Sequence, residues 1–166
     1  MQRVLAGLFL VAVAVSGIAQ STYTAAGVYK YSGPVGYKVN NSRVPQGRVG
    51  FFAAPKNNYS CNVMITTANA GSYDANGIGK ETIQYLKTSD KSVSEVSGSA
   101  TTLGGKGAYS IKSLRKLPNG MKVRQEQVVG VSGGTAVILT FSADTASFTK
   151  ENAKFRSSLK SWKWLK

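Results

Sequence analysis

Serine followed by lysine three positions later lets a lysine amine take the proton of a serine hydroxyl, and this spacing occurs at Ser113/Lys116, Ser147/Lys150 and Ser157/Lys160. In a chain this rich in both residues, about two such matches arise by chance. A Ser/Lys hydrolase is therefore the weakest functional alternative, and only reaction with a serine-directed probe would revive it. The string Gly77-Ile78-Gly79-Lys80-Glu81-Thr82 has the look of a phosphate loop. Asp74, however, stands where its first glycine belongs and Glu81 where a magnesium-binding Ser or Thr belongs, so a helix start with two small residues is the better account. The seven acids, Asp74, Glu81, Asp90, Glu95, Glu126, Asp144 and Glu151, are scattered over different elements. No two of them mark a carboxylate pair for sugar chemistry, and nothing has the looped spacing of a calcium site. With no histidine at all, a Ser-His-Asp or Cys-His nucleophile and an imidazole metal site are excluded. The sequence calls for no cofactor and no metal.

What stands out is charge. The 166 residues carry 21 Lys plus Arg against 7 Asp plus Glu, a formal net charge of +14. If the strands pair as their turns suggest, Lys112, Lys116, Lys122 and Arg124 share one face of a hairpin. Lys150, Lys154, Lys160, Lys163 and Lys166 run along the last helix, where Trp164 is expected to be exposed. Such a field attracts anionic envelope polymers or lipid headgroups. Nucleic acid is the least favoured partner, because aromatics suited to base stacking do not alternate with the cations. The Gly104-Gly105-Lys106-Gly107 turn could offer backbone amides to an anion, but a plain hairpin explains it better.

The N-terminus has the form of a cleavable secretory signal. Arg3 precedes an apolar run from Val4 to Val15, and Ser16-Gly17-Ile18-Ala19 places small residues before a cut near Ala19. The run is shorter than the ~20 residues a spanning helix needs. Gln20 rather than Cys follows the cut, which disfavours a lipoprotein. A secreted or periplasmic protein is expected, with residues 1–19 as signal, 20–47 as an irregular arm rich in Gly, Tyr, Ser and Asn, and 48–166 as a single domain. A chain of this size buries roughly 68 to 70% of its unfolded surface and needs no disulfide for stability. The one cysteine, Cys61, has no disulfide partner and alternates with Val63 and Ile65, which makes it a packing thiol.

The elements that must carry the hairpin cations follow from periodicity. Strands are expected over Val49–Ala53, Asn62–Thr67, Ser92–Leu103, Gly107–Leu117, Met121–Val131 and Thr135–Ser142, with a short one near Tyr37–Val39. Gly104-Gly105, Pro118-Asn119-Gly120 and Ser132-Gly133-Gly134 supply the turns. The middle turn would set Lys116 against Lys122, Leu114 against Arg124 and Lys112 against Glu126. A first helix is expected over about Asn76–Thr88, capped by Asp74 or Asn76 and carrying Ile78, Thr82, Tyr85 and Leu86 at helical spacings. A second should run from about Ala146 to Trp162, capped by Asp144, with Phe148, Phe155, Leu159 and Trp162 as one stripe. This order belongs to the α+β class. About six antiparallel strands should lie between two helices, set on opposite faces.

Six strings give that order a resemblance. They are Tyr31-Ser-Gly-Pro-Val-Gly-Tyr37, Val49-Gly-Phe-Phe-Ala-Ala-Pro55, Asn62-Val-Met-Ile65, Leu103-Gly-Gly-Lys-Gly-Ala-Tyr109, Ala136-Val-Ile-Leu-Thr-Phe-Ser-Ala143 and Phe155-Arg-Ser-Ser-Leu-Lys-Ser-Trp162. Together they make the chain resemble the PsbP-like superfamily, which includes the PsbP proteins of photosystem II, DcrB-type envelope proteins and Ran-binding Mog proteins. The resemblance implies an α/β/α sandwich and a protein that binds or stabilises something else without being a catalyst. No His is present to match a family metal site, so no site residue is carried over. The expectation is a non-enzymatic extracytoplasmic binding or accessory protein serving an envelope complex. The alternative is an electrostatic binder of anionic envelope polymers or lipids through Lys112, Lys116, Lys122, Arg124, Lys154, Lys160 and Lys163.

Overall fold

The computed structural model describes residues 20–56 and 58–165. The expected signal over 1–19 and Lys166 lie outside the described residues. In chain order the elements are β1 (Thr22–Ala25), β2 (Tyr29–Ser32), β3 (Lys38–Val39), β4 (Arg48–Phe52), β5 (Asn62–Asn69), α1 (Ala75–Thr88), β6 (Val93–Leu103), β7 (Lys106–Lys116), β8 (Lys122–Ser132), β9 (Thr135–Asp144), α2 (Phe148–Ser158) and β10 (Lys163–Trp164). A seven-stranded sheet has the order β3-β4-β5-β9-β8-β7-β6, and every neighbouring pair in it is antiparallel. The six expected strands are all present, and β3 is the seventh. A second sheet, β1-β2-β10, has three strands.

Turn chemistry fixes the register. Gly104 and Gly105 both adopt positive φ, 57° and 79°, which a two-residue turn between right-twisted strands requires and which only glycine adopts without strain. The wider Leu117–Met121 turn pairs Lys116 with Lys122, Leu114 with Arg124 and Lys112 with Glu126, as its sequence indicates.

Alternation along each strand divides the core in two. Val63, Ile65, Leu139 and Phe141 point to the face covered by α2, with Phe155 stacked on Phe141 at 5.1 Å. Val129, Ile111, Ile138 and Val131 point to the other face, where α1 seats. The helices therefore lie on opposite faces of the main sheet. Cys61 is buried in the α2-side core with Val63 and Ile65.

Segment 20–47 differs from the irregular arm expected of it. It contributes β1, β2 and β3, and Tyr29, Tyr31 and Tyr37 are fully buried in the core. The reason is the alternation Tyr29-Lys30-Tyr31, which sends two rings inward once β2 finds β10 at the far end of the chain. Tyr29 stacks on Trp162 at 4.4 Å, and the Tyr31 hydroxyl meets Ser158 Oγ at 2.6 Å.

Three details of the helices also differ. Tyr85 is 59% exposed; the buried face of α1 is instead Ala75, Gly79 and Leu86, with Ile78 and Ile83 packed beside them. α2 ends at Ser158, so Trp162 stands beyond the helix in extended backbone and Lys163 and Trp164 form β10. Trp164 is consequently packed, not free: its Nε1 donates to the Leu103 carbonyl at 2.9 Å and its ring lies edge-on to Trp162. Asp144 does not cap α2 directly. It accepts the backbone N–H groups of Ala146 and Ser147 in the turn before it, and Ser147 is the helix cap. Asp74 caps α1 as expected, accepting from Gly77 N at 2.6 Å.

Gly79 is required by packing. A Cβ there would lie 2.3 Å from Tyr109 Cδ1, on the ring that α1 crosses. Helix propensity alone would reward Gly79→Ala by about 1 kcal/mol, but the clash should make it a net loss of about 1–3 kcal/mol. Urea denaturation decides the sign, and a stability gain would contradict the close seat of α1.

Candidate functional site

None of the three Ser-x-x-Lys pairs of the sequence is joined by a hydrogen bond among the described residues. Ser113 and Lys116 are three apart on β7, so they point to opposite faces of the sheet, Ser113 buried and Lys116 exposed. The glycines of the phosphate-loop-like string lie inside α1, where the amide of Gly77 is already taken by Asp74. Among the described residues, no group of three or more His, Cys, Asp or Glu side chains could hold a metal ion. Burial pushes the Cys61 thiol up, helped by the nearby Glu151 and Asp144 charges, so the thiol stays protonated and poorly nucleophilic.

The acids are occupied with structure. Asp90 pairs with Arg115 at 2.9 Å, Glu95 with Arg124 at 3.0 Å, and Glu151 with Lys154 at 2.8 Å while accepting from the Tyr37 hydroxyl. Burial, and then the Glu151 charge, push the Tyr37 hydroxyl well above the ordinary tyrosine range. Glu126 is the most deeply placed carboxylate, 1% exposed on the α2 face. It accepts from Ser110 at 2.9 Å, from Asn152 at 2.7 Å and twice from the Arg156 guanidinium, tying α2 to the sheet. Lys112, directly opposite Glu126 in the ladder, is left outside this network because α2 lays Arg156 and Asn152 over the same face.

Asp90 has a pH consequence. The Ser92 hydroxyl first, and then the Arg115 guanidinium and the Ser92 N–H, hold its carboxyl below the usual carboxylate range. A carboxyl depressed in the folded state stabilises above its unfolded pKa and loses that contribution as pH falls through the folded one. Thermal stability is expected to drop below about pH 4, and Asp90→Asn should flatten that drop. Parallel acid limbs for wild type and variant would contradict it.

The seven expected cation-site residues divide into groups. Lys112, Lys116, Lys122 and Arg124 do share one face of the β7–β8 hairpin. Arg124 is paired with Glu95, which a bulge between Ser94 and Ser97 swings round with φ 51°. Lys154 is held by Glu151. Lys160 lines a hollow with Arg156 beside the Gly104-Gly105 turn, and Lys163 sits across from Lys30 in the small sheet. That turn and Lys116 are at opposite ends of β7, ~33 Å apart for eleven residues of strand. Lys116 and Lys122, at the far end of the hairpin, and Lys160, beside the turn, therefore lie on separate surfaces.

At the hairpin end the structure adds a residue that sequence spacing did not single out. Lys91, in the connection from α1 to β6, joins Lys116 and Lys122 around a hollow of about 200 Å³ whose wall includes Ser94 and Leu114. Among the described residues, no acid pairs with any of these three lysines. Two like charges directly opposite in a ladder weaken it, so the Lys116–Lys122 pair does not itself stabilise the hairpin.

No family model matches the chain, and no curated protein does. Among solved structures the chain is similar to cyanobacterial PsbP (CyanoP) from Synechocystis sp. PCC 6803, with a TM-score of 0.64 and 13% identity over 91% of this chain and 95% of that one. The fold is PsbP-like. Two further structures share this PsbP-like arrangement. LpqN of Mycobacterium tuberculosis, described as involved in cell envelope biogenesis, has a TM-score of 0.63 and 18% identity over 88% of this chain and 90% of that one. PA94 of Pseudomonas aeruginosa, a protein of unknown function described as a putative regulator, has a TM-score of 0.61 and 10% identity over 85% and 94%. At these identities the likeness concerns the fold alone. No helix of the described residues is long and apolar enough to cross a membrane.

Proposed function

We propose that the protein is a non-enzymatic, extracytoplasmic accessory protein of PsbP-like fold, exported by its N-terminal signal and serving a partner at the cell envelope. The observation that carries this reading is how the acids are used. Asp90, Glu95, Glu126 and Glu151 are engaged by Arg or Lys, and Asp74 and Asp144 by backbone N–H groups. In a chain without histidine, that leaves few groups for proton transfer. The likeness to LpqN, described as involved in cell envelope biogenesis, supports the envelope as the place of action. Residues 20–166 immobilised and exposed to envelope extract should retain a discrete protein, polymer or lipid at moderate salt. Retention of nothing would remove the accessory role.

A second reading is favoured by the convergence of Lys91, Lys116 and Lys122 without acids. Here the protein binds anionic envelope polymers or lipid headgroups electrostatically, and the binding weakens steeply with salt. Lys112 lies on the same face and extends the surface. Lys160 and Lys163 form a second, separate basic surface. Arg124 and Lys154, both paired, contribute little.

A further inference from the structure

α1 covers only part of its side of the seven-stranded sheet. It seats on the apolar positions Ile111, Val129, Val131 and Ile138. Two neighbouring cross-strand rows lie beyond it: Asn62, Ser142 and Gln125 in one, and Met64, Thr140 and Gln127 in the other. Since paired strands run ~4.8 Å apart, these rows set the amides and hydroxyls of Asn62, Ser142, Gln125, Thr140 and Gln127 side by side, with Met64 at one edge. A cleft of about 430 Å³ lies over them, bounded by Arg43, Phe52 and Tyr59 on one side and by Arg115 and Leu117 on the other. The size falls within the range of small-molecule sites.

The floor is fixed by the protein's own bonds. Arg115, anchored by Asp90 and Ser92, donates from Nε to Gln125 Oε1 at 3.0 Å, and Gln125 Nε2 donates to Ser142 Oγ at 2.9 Å. Beside this chain, Gln127 and Thr140 have no side-chain hydrogen-bond partner among the described residues. Arg43 lies over the Phe52 ring, 4.4 Å from its centroid, and has no ion pair among the described residues. No carboxylate lines the cleft.

We propose that this cleft binds an acidic sugar of the uronate type, with its hydroxyls on Gln127 and Thr140 and its carboxylate on Arg43. The cleft is on a sheet face, where backbone groups are already paired in ladders, so recognition must run through side chains and an added peptide strand has nothing to pair with. Amide and hydroxyl side chains both donate and accept, as sugar hydroxyls do, and the Tyr59 ring offers an apolar flank for a sugar ring's C–H groups. Arg43, the absence of acids in the lining and the net charge of +14 select an anion.

The test is a titration of residues 20–166, labelled with ¹⁵N, with a galacturonate trimer and with its neutral galactose counterpart. The proposal expects amide shifts concentrated at 125–127 and 140–142, and binding at least about tenfold weaker for the neutral trimer and for Arg43→Glu, as loss of a charged hydrogen bond implies. Arg43 is exposed and Gln127 is bonded to no side chain, so Arg43→Glu and Gln127→Leu should both fold; the second should also weaken binding. Lys116→Glu with Lys122→Glu should leave it unchanged, which separates this cleft from the lysine surface. Absence of shifts on the floor, equal binding of the neutral trimer, or loss of binding only in the lysine variant would overturn the proposal.

Discussion

Trp162→Ala is expected to destabilise the protein by about 3–5 kcal/mol, the usual cost of removing a buried aromatic side chain. Trp162 is only 3% exposed and stands just past α2, packed against β2 and β10. Its ring stacks on Tyr29 at 4.4 Å, lies 5.7 Å from Tyr31 and meets Trp164 edge-on at 5.2 Å. Loss of the ring leaves a void between the end of α2 and the β1-β2-β10 sheet. That sheet is held by short strands, so its amides at 29–32 should exchange before those of β8 and β9. Trp162→Phe, which keeps an aromatic ring beside Tyr29, should cost distinctly less. Urea denaturation and amide exchange check both points. A Trp162→Ala protein within about 1 kcal/mol of wild type, or one that loses protection uniformly, would show that the small sheet does not depend on this contact.

Arg156→Met should cost about 3 kcal/mol, because it leaves the Glu126 carboxylate buried without its counter-charge. The loss is set at the lower end of the range for buried pairs, since the Arg156 side chain is itself 48% exposed and Ser110 and Asn152 continue to donate to the carboxylate. Adding Glu126→Gln to Arg156→Met should recover part of the loss, since a neutral amide tolerates the same site better than an unpaired charge. A double-mutant cycle by thermal or urea unfolding measures this coupling. Strictly additive effects would mean that Arg156 acts only through its aliphatic stem and not through Glu126.

These two sites also mark where the sequence was and was not legible. Hairpin registers could be read from Gly104-Gly105 and Pro118-Asn119-Gly120, because a turn and its two strands are local and alternation then places every side chain. The Glu126 network could not: ladder pairing sets Lys112 opposite the carboxylate, and only the path of α2 across that face gives the bond to Arg156 and Asn152. The small sheet was hidden for a similar reason. Tyr29-Lys30-Tyr31 is a short alternation inside a Gly- and Ser-rich stretch, and its partner strand, Lys163–Trp164, lies at the other end of the chain. Of the candidate cations, Lys112, Lys116, Lys122 and Arg124 were placed on one face by alternation alone. Lys91 belongs to a connection, which strand alternation does not place, and the pairing of Arg124 depends on the bulge that brings Glu95 round and interrupts the regular alternation. The polar rows Gln125/Gln127 and Thr140/Ser142 were not among the candidates, because how far α1 leaves them uncovered depends on where the helix docks.

An accessory protein that works through unpaired cations makes one measurement decisive: retention of envelope components by immobilised residues 20–166 over a range of salt, beside the Lys116→Glu/Lys122→Glu variant. A discrete component should be retained by the wild-type chain at moderate salt and released as salt rises, and the charge reversal should weaken its capture by about tenfold or more if each lysine contributes a charged contact. Retention that is indifferent to both salt and charge reversal would contradict the lysine surface. Retention of nothing would contradict the accessory role itself, and labelling by a serine-directed probe would contradict its non-enzymatic character.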